Sequence, residues 1–504
     1  MCNENRKRYF GKNELDVHSE RCGISLNEEL KMKWHSIYGQ ILFDRKLKEA
    51  WLKVKANDGA GGIDKVTIES YECKENENLD TLLEKLRKKE YQPSPVRRVY
   101  IPKKNGDRRP LGIPNVEDRI VQQAIVHVLE PKFEESIFHN WSCGYRPNRG
   151  AKRVLQIIMW NIEKGYNYIY DCDIKGFFDN IPHKKLMKVL NKYIADGTTL
   201  DMVWSWLKAG YMEEGKYNQV NSGTPQGGVI SPLLANIYLN ELDWELDLNN
   251  IRFVRYADDF LLFAKTEEDI KKAEQITKAK LKELGLEISI EKTKVVNFND
   301  DDFDFLGFTF EHWRKRKKDG KPYYIAKPKD STWKDFRQKI KMKTRKTLTF
   351  SKEEWMKRVN PIIRGKVNYF LTLWEALEEN KRYGLKSSCY FNTFGRELLA
   401  IDAYIRKRLR VAMLHKHPNQ RKGWAMTTKW NIEYFAMIGL IPSFLQYYGK
   451  QYGYQLYDYL QYMKDKQKKK YKRAVERAKE KGENYFSPER TRKMNYAQRI
   501  ATYK

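Results

Sequence analysis

"RFVRYADDFLLFAK", from Arg252 to Lys265, sets two aspartates side by side between apolar and aromatic flanks. Taking a carboxylate out of water is costly unless a cation or hydrogen-bond donors meet it. The flanks read as two short strands around a tight turn that carries Asp258 and Asp259. Neighbouring residues of a strand point to opposite faces, so the two carboxylates need not share one job. At a tight turn that rule loosens, and both can approach one site. Taken alone, the tetrapeptide YADD is ordinarily a surface hairpin; its meaning has to come from the rest of the chain.

Two other stretches share its logic. "YDCDIKGFFD" (170–179) brings Asp171, Asp173 and Asp179, and "NSGTPQGGVISPLLANIYL" (221–239) brings a Gly-rich turn leading into an apolar helix. The turn lacks the G-K-[ST] ending of a phosphate-binding P-loop. Carboxylates that converge repel one another, and their pKa values rise unless a cation neutralises them. A few carboxylates with open positions suit Mg²⁺ bound together with phosphates, and Mn²⁺ accepts the same oxygen ligands. Two such ions, about 3.5–4 Å apart, stabilise both the attacking and the leaving oxygen of a phosphoryl transfer. The pattern therefore fits nucleotidyl transfer, with Asp173 and Asp258 as first choices and Asp259 beside them.

Composition points the same way. The 504 residues carry 96 Lys and Arg against 66 Asp and Glu, a formal net charge of +30, which calls for a polyanionic partner such as nucleic acid. The length predicts two to four domains, and 32 Tyr, 22 Phe and 13 Trp suit both packed cores and stacking on bases. Six scattered cysteines form no C-x-x-C pair, against a zinc ribbon or a secreted disulfide scaffold. Cys2, His18 and Cys22 could supply three metal ligands, without an obvious fourth. A reducing cytosol is the expected setting, and Lys-, Asn- and Tyr-heavy usage hints at a bacterial source. No 18-residue apolar run predicts a membrane span.

Along the chain, "LKEAWLKVKAN" and "TLLEKLRKKEY" read as helices, and "DGAGGID" (58–64) as a Gly-rich break. "VRRVYIPKKNGDRRPLGIP" reads as a hairpin turning at Asn105-Gly106. "DRIVQQAIVHVLEPKFEESI" reads as a helix ending near Pro131, "YNYIYDCDIKGFF" as a buried strand, "ITKAKLKELGLEI" as a helix and "FDFLGFTF" as a single strand. This mixture forms an α+β unit to about 310. Beyond it, "HWRKRKKDGKPYY" is a basic loop or hairpin and 330–440 is helical in pattern. From 464 to the end, 15 Lys and Arg face 5 Asp and Glu.

Together these segments resemble reverse transcriptases of the group II intron type, over roughly 30–445. "VRRVYIPKKNGDRRPLGIPNVEDRIVQQAI" resembles the fingers motif, and "FHNWSCGYRPNRGAKRVL" the block after it. "DCDIKGFFDNIPH" and "RYADDF" resemble the two catalytic motifs. "GTPQGGVISPLLANIYLNELD" resembles the template-handling motif, and "GLEISIEKTK" and "FDFLGF" the two that close the domain. "IIRGKVNYFLTLW" (362–374) resembles the helical thumb, or maturase domain.

The resemblance implies an α+β right-hand polymerase: fingers, a palm with an antiparallel sheet, and a helical thumb, plus a basic helical C-terminal extension. The corresponding boundaries are an N-terminal helical extension over 1–55, fingers over 56–165, palm over 166–310, thumb or maturase-like domain over 311–445, and the extension over 446–504. Asp173, Asp258 and Asp259 would hold two Mg²⁺ ions, with the Ile174 carbonyl completing one shell. Lys103 and Arg109 match the residues that hold the triphosphate. Phe178 matches the bulky residue that excludes a ribose 2′-hydroxyl, with Phe177 as its core neighbour. Gln226 matches the glutamine beside the nascent base pair, and Lys292 would protonate the pyrophosphate leaving group.

The implied activity is RNA-directed DNA polymerisation from a DNA or RNA primer on an RNA template, with dNTPs as substrates and a structured RNA as partner. An intron maturase is the first reading. A non-intron enzyme of defence or repair, or a splicing factor with a dispensable polymerase, are the alternatives. Paired cysteines of a zinc-linked endonuclease are absent, and the basic extension reads as a nucleic-acid clamp or an oligomer contact. Oligomeric state is not legible.

Overall fold

The computed structural model describes residues 33–102, 106, 108–348, 350–385, 387–390, 394–416 and 429–480. Cys2, His18, Cys22, Lys103 and most of the N-terminal extension lie outside them, as does 481–504 of the C-terminal extension. The chain divides into two compact units, Met1–Asn299 with Asn380–Ser387, and Asp300–Glu379 with Ser388–Lys504.

The first unit holds two four-stranded sheets. One follows the order β2-β1-β4-β5. Strands β1 (Val96–Pro102) and β2 (Arg108–Ile113) form the expected hairpin, with Pro102 opposite Arg108 and Ile101 opposite Arg109. Gly106 in its turn has φ +92°, a conformation open to glycine. Strand β4 (Tyr211–Glu213) joins β1 in parallel, and β5 (Lys216–Asn218) closes the edge.

The second sheet follows the order β6-β7-β3-β8 and is antiparallel throughout. Its strands are β3 (Tyr168–Asp173), β6 (Arg252–Tyr256), β7 (Asp259–Ala264) and β8 (Lys294–Asn297). Phe253, Val254, Phe260, Leu261 and Leu262 are almost fully buried. The flanks of the two aspartates are thus apolar on both faces, since helices and loops cover the strands where a one-sided sheet would show polar alternation.

Helices pack on this frame. Glu267–Leu284 starts at Thr266, whose hydroxyl accepts from the Asp269 N–H at 3.1 Å, and ends at Gly285 with φ +74°. Both ends follow the usual capping chemistry. Helix Ser231–Leu248 has proline in its first turn, where the missing N–H costs nothing. The helix expected to end near Pro131 runs on from Val116 to Ser136. A proline forfeits one helical hydrogen bond, but Phe133 just beyond it is fully buried, against Trp34 at 4.9 Å and Tyr193 at 5.4 Å. That core contact carries the helix past the break.

In the second unit, "FDFLGFTF" is two strands where one was expected: β9 (Phe303–Phe305) and β10 (Phe308–Lys315) fold back on each other. Leu306 at φ +47° and Gly307 at φ +76° make the reversal. An alternating apolar run conceals such a turn when only one glycine marks it. Strands β11 (Pro322–Pro328) and β12 (Cys389–Tyr390) complete the order β12-β11-β10-β9. The basic segment is therefore a hairpin. Helices 330–343, 352–382, 394–416, 432–437, 443–452 and 456–480 make up the rest. Buried Asp402 accepts from Ser443 N–H at 2.7 Å, Ser443 Oγ at 2.6 Å and Phe444 N–H at 3.1 Å. It thereby satisfies the open amides at the start of Ser443–Tyr452. Among the described residues no helix is long and apolar enough to cross a membrane.

Candidate active site

Strand pairing brings the carboxylates together. Asp173 ends β3 directly opposite Asp259, which begins β7. Asp258 occupies the turn one residue earlier. The turn needs Ala257 at φ +61°, a left-handed conformation that costs a non-glycine residue of order 1 kcal/mol.

That strain is held by a buried brace. Arg255, 1% exposed, donates to both carboxylate oxygens of Asp243, from Nε at 2.7 Å and Nη2 at 2.5 Å. Its Nη1 donates to Asn236 Oδ1 at 3.0 Å and to the Ala257 carbonyl at 2.8 Å. One guanidinium thus ties the turn to helix Ser231–Leu248 with a planar fork that lysine could not offer. The segment before Gly144 completes the support. Arg255 N–H donates to the Trp141 carbonyl at 3.0 Å, and Cys143 N–H to the Arg255 carbonyl at 2.8 Å. A Cβ on Gly144 would lie 2.2 Å from the Ala257 nitrogen, so only glycine lets the backbone approach this closely. Arg146 secures the same segment, with both carboxylate oxygens of Glu134 and the carbonyls of His139 and Ser142 as acceptors.

The charges respond to this crowding. Burial raises the Asp258 pKa, Asp173 adds to the effect, and Arg109 and Arg255 oppose it. Asp259 is pushed up to about 7, first by burial and then by Asp258, Asp173 and Asp171, with Lys292 opposing. Its side chain still meets solvent, so the neighbouring carboxylates are the firmer part of that cause. Lys292 Nζ lies 2.9 Å from Asp173 Oδ2, and this bond raises the lysine pKa. The ammonium stands where a cation is demanded. Among the described residues no three acidic, His or Cys side chains are drawn together as metal ligands, and Asp173 is paired with Lys292. Released from it, three carboxylates of one strand end and one adjoining turn offer the oxygen-rich set that a hard divalent ion takes.

The remaining predicted residues surround the carboxylates. Ile174 is buried and bridges to Ile288. Arg109 is close enough for its charge to act on Asp258 and Tyr145. Phe177 is buried, and Phe178 is half-buried with its ring edge-on to Tyr145 at 6.3 Å. Gln226 Nε2 donates to Asp179 Oδ2 at 3.1 Å, and its carbonyl accepts from Gly112 N–H at 2.7 Å. The loop bearing Gln226 docks through Thr224 N–H on the Phe178 carbonyl at 2.7 Å. Gly223, at φ +87°, has no room for a Cβ against the Asp179 carbonyl. Asp179, grouped by sequence with Asp171 and Asp173, instead stands by Gln226.

Sequence reasoning missed the Arg255 brace and Tyr145. The brace had a signal: Asn236, Asn240 and Asp243 form a polar stripe at helical spacing on an otherwise apolar helix. Tyr145 gave none beyond its place in a motif; its φ is +56°, and its ring stands edge-on to Phe178.

Residues 101–310 match the reverse transcriptase (RNA-dependent DNA polymerase) family. Protein YkfC of Escherichia coli K12 is 33% identical over 297 residues, which cover 51% of this chain and 77% of that one. The chain belongs to the reverse transcriptases. Within them it is group II-like: the group II intron-encoded protein LtrA of Lactococcus lactis is 37% identical over 227 residues, 44% of this chain and 37% of LtrA. An uncharacterized 91 kDa protein in the cob intron of Schizosaccharomyces pombe is 29% identical over 366 residues, 60% of this chain and 44% of that protein. The chain thus spans less than half the length of these two relatives. Reverse transcriptases are RNA-directed DNA polymerases with the right-hand fold and a divalent-metal requirement. In this group II-like reverse transcriptase the antiparallel sheet carries Asp173 and Asp259, and the hairpin sheet carries Arg109.

Two outcomes follow from the geometry. Gly144→Ala should displace the Asp258 turn and lower the primer-extension rate by about 100-fold, with circular dichroism unchanged. The raised Asp259 pKa means that the folded metal-free protein binds more protons than the unfolded chain. Its stability should therefore fall as pH rises from about 4 to about 7. Thermal melts should show that slope, and Asp259→Asn or saturating divalent cation should flatten it.

Proposed function

We propose that the chain extends a DNA or RNA primer on an RNA template with dNTPs, using two Mg²⁺ ions, and that it binds a structured RNA as a group II intron maturase. The observation that supports this reading is the register that sets Asp173 opposite Asp259, with Asp258 in the braced turn beside them. When bound, the ions activate the primer 3′-hydroxyl and stabilise the leaving pyrophosphate.

Every other role falls to the chain. Asp173, Asp258 and Asp259, with the Ile174 carbonyl, would hold the ions. Arg109 offers its planar fork to the triphosphate, and Lys103 shares that role by resemblance. Gln226, steadied by Asp179, faces the nascent pair. Phe178 closes the sugar pocket sterically, so a 2′-hydroxyl is rejected. Lys292, once off Asp173, would donate its proton to the leaving group. The intron-encoded relatives support the maturase part of the reading.

Asp258→Ala should reduce Mg²⁺-dependent extension of a DNA primer on RNA by at least about 10³-fold. Undiminished extension by that variant would remove the two-ion reading. Phe178→Ala should raise ribonucleotide incorporation relative to deoxyribonucleotide by about tenfold or more, measured by single-nucleotide extension. Equal use of both sugars by the unmodified protein would dismiss the steric role.

A further inference from the structure

A cavity of about 320 Å³ lies behind the Gln226 loop, in the first unit. Strands β1 and β2, the segment from Trp206 to Tyr211 and the loop from Gln219 to Gln226 line it. Its size falls at the small end of ligand sites, about 300–1,000 Å³. The walls have a definite chemistry. The Arg98 guanidinium lies 3.8 Å from the centre of the Tyr211 ring, which makes a flat stacked platform. The Trp206 ring forms another wall, with its indole N–H engaged by Tyr91 at 3.0 Å.

Two polar atoms of the lining are buried without a hydrogen-bond partner: Arg98 Nε and Thr224 Oγ1, the latter on a residue 2% exposed. Buried polar atoms are nearly always satisfied, so the wall behind this lining holds unused hydrogen-bonding capacity. A cation is a poor candidate, because Asp179 is the sole acid in the lining. A phosphate is no better, because Arg98 is the sole basic residue of the lining. A flat heterocycle matches both the stacked platform and the aromatic wall. Asp179 and Gln226, joined by their hydrogen bond, also line the cavity, so it adjoins the position assigned to the nascent base pair.

We propose that this cavity receives one unstacked nucleobase, taken from the single-stranded template ahead of the primer terminus. Unstacking is cheapest in a single strand, and stacking on an aromatic ring repays it without regard to base identity. Held there, the next template base cannot stack on the base being copied. The source of the base, though not the pocket chemistry, rests on the polymerase reading.

The test uses the full chain and 2-aminopurine, whose emission drops when it stacks on an aromatic ring. The base is placed in turn at successive positions of a template RNA overhang, and complex formation is followed separately by anisotropy of a labelled primer. One position should change emission on binding differently from its neighbours. Tyr211→Ala and the isosteric Thr224→Val should each erase that difference, with overhang affinity falling about tenfold in Tyr211→Ala. A saturable signal from free 2-aminopurine nucleoside monophosphate alone, lost in both variants, would uphold the base pocket and assign it to a free nucleotide. Emission unchanged at every position and with the free nucleotide, or a signal that both variants leave intact, overturns the proposal. Failure of the unmodified protein to extend the primer would count against the polymerase reading alone, because the emission signal is read without catalysis.

Discussion

The candidate site turns on one electrostatic constraint: Asp173, Asp258 and Asp259 are gathered at the end of an apolar sheet. Left alone they would repel, and the turn that carries Asp258 would relax from its left-handed backbone. Lys292 on Asp173 meets part of the charge, and Arg255 holds the turn. Its charge is cancelled by Asp243 in a fully buried bidentate pair, so it adds rigidity without placing a free cation in the core. A buried pair of this kind contributes little net stability but loses several kcal/mol when one partner is removed. Its value lies in fixing a carbonyl, and with it a turn.

Around that point the first unit is arranged as concentric supports. The Gly144 segment presses on the outside of the turn, Arg146 locks the segment to Glu134, and helix Ser231–Leu248 supplies the polar stripe that receives Arg255. On the other side, the Phe178 carbonyl and Gly223 seat the loop of Gln226. Residues away from the carboxylates thereby set where the carboxylates and Gln226 lie, which is how rigid elements hold a constellation within fractions of an ångström.

Much of this was legible in the residues. The YADD hairpin, the buried strand of Asp173, the β1–β2 hairpin and the helical character beyond 330 follow from periodicity and turn chemistry. What stayed hidden depended on partners distant in the chain. Pro131 should have ended its helix, but Phe133 had a buried seat waiting. Leu306-Gly307 turned a run that alternates too regularly to betray a break. Asp179 shares a motif with Asp173 yet lies past the strand end, on a short helix (Phe177–Asn180) that points it at Gln226. Local sequence specifies an element; which of its side chains enters the site is decided where elements meet.

The pairing of β1 with β4 joins Val96 to Tyr211 across more than a hundred residues of chain. During synthesis, the hairpin of β1 and β2 leaves the ribosome long before its third strand exists. Until Tyr211 emerges, one edge of β1 offers unpaired amides and carbonyls to any strand in solution. Long-range pairings of this kind are slow to close, so the nascent chain passes through an interval in which the β1–β2 hairpin is the part most exposed to mispairing.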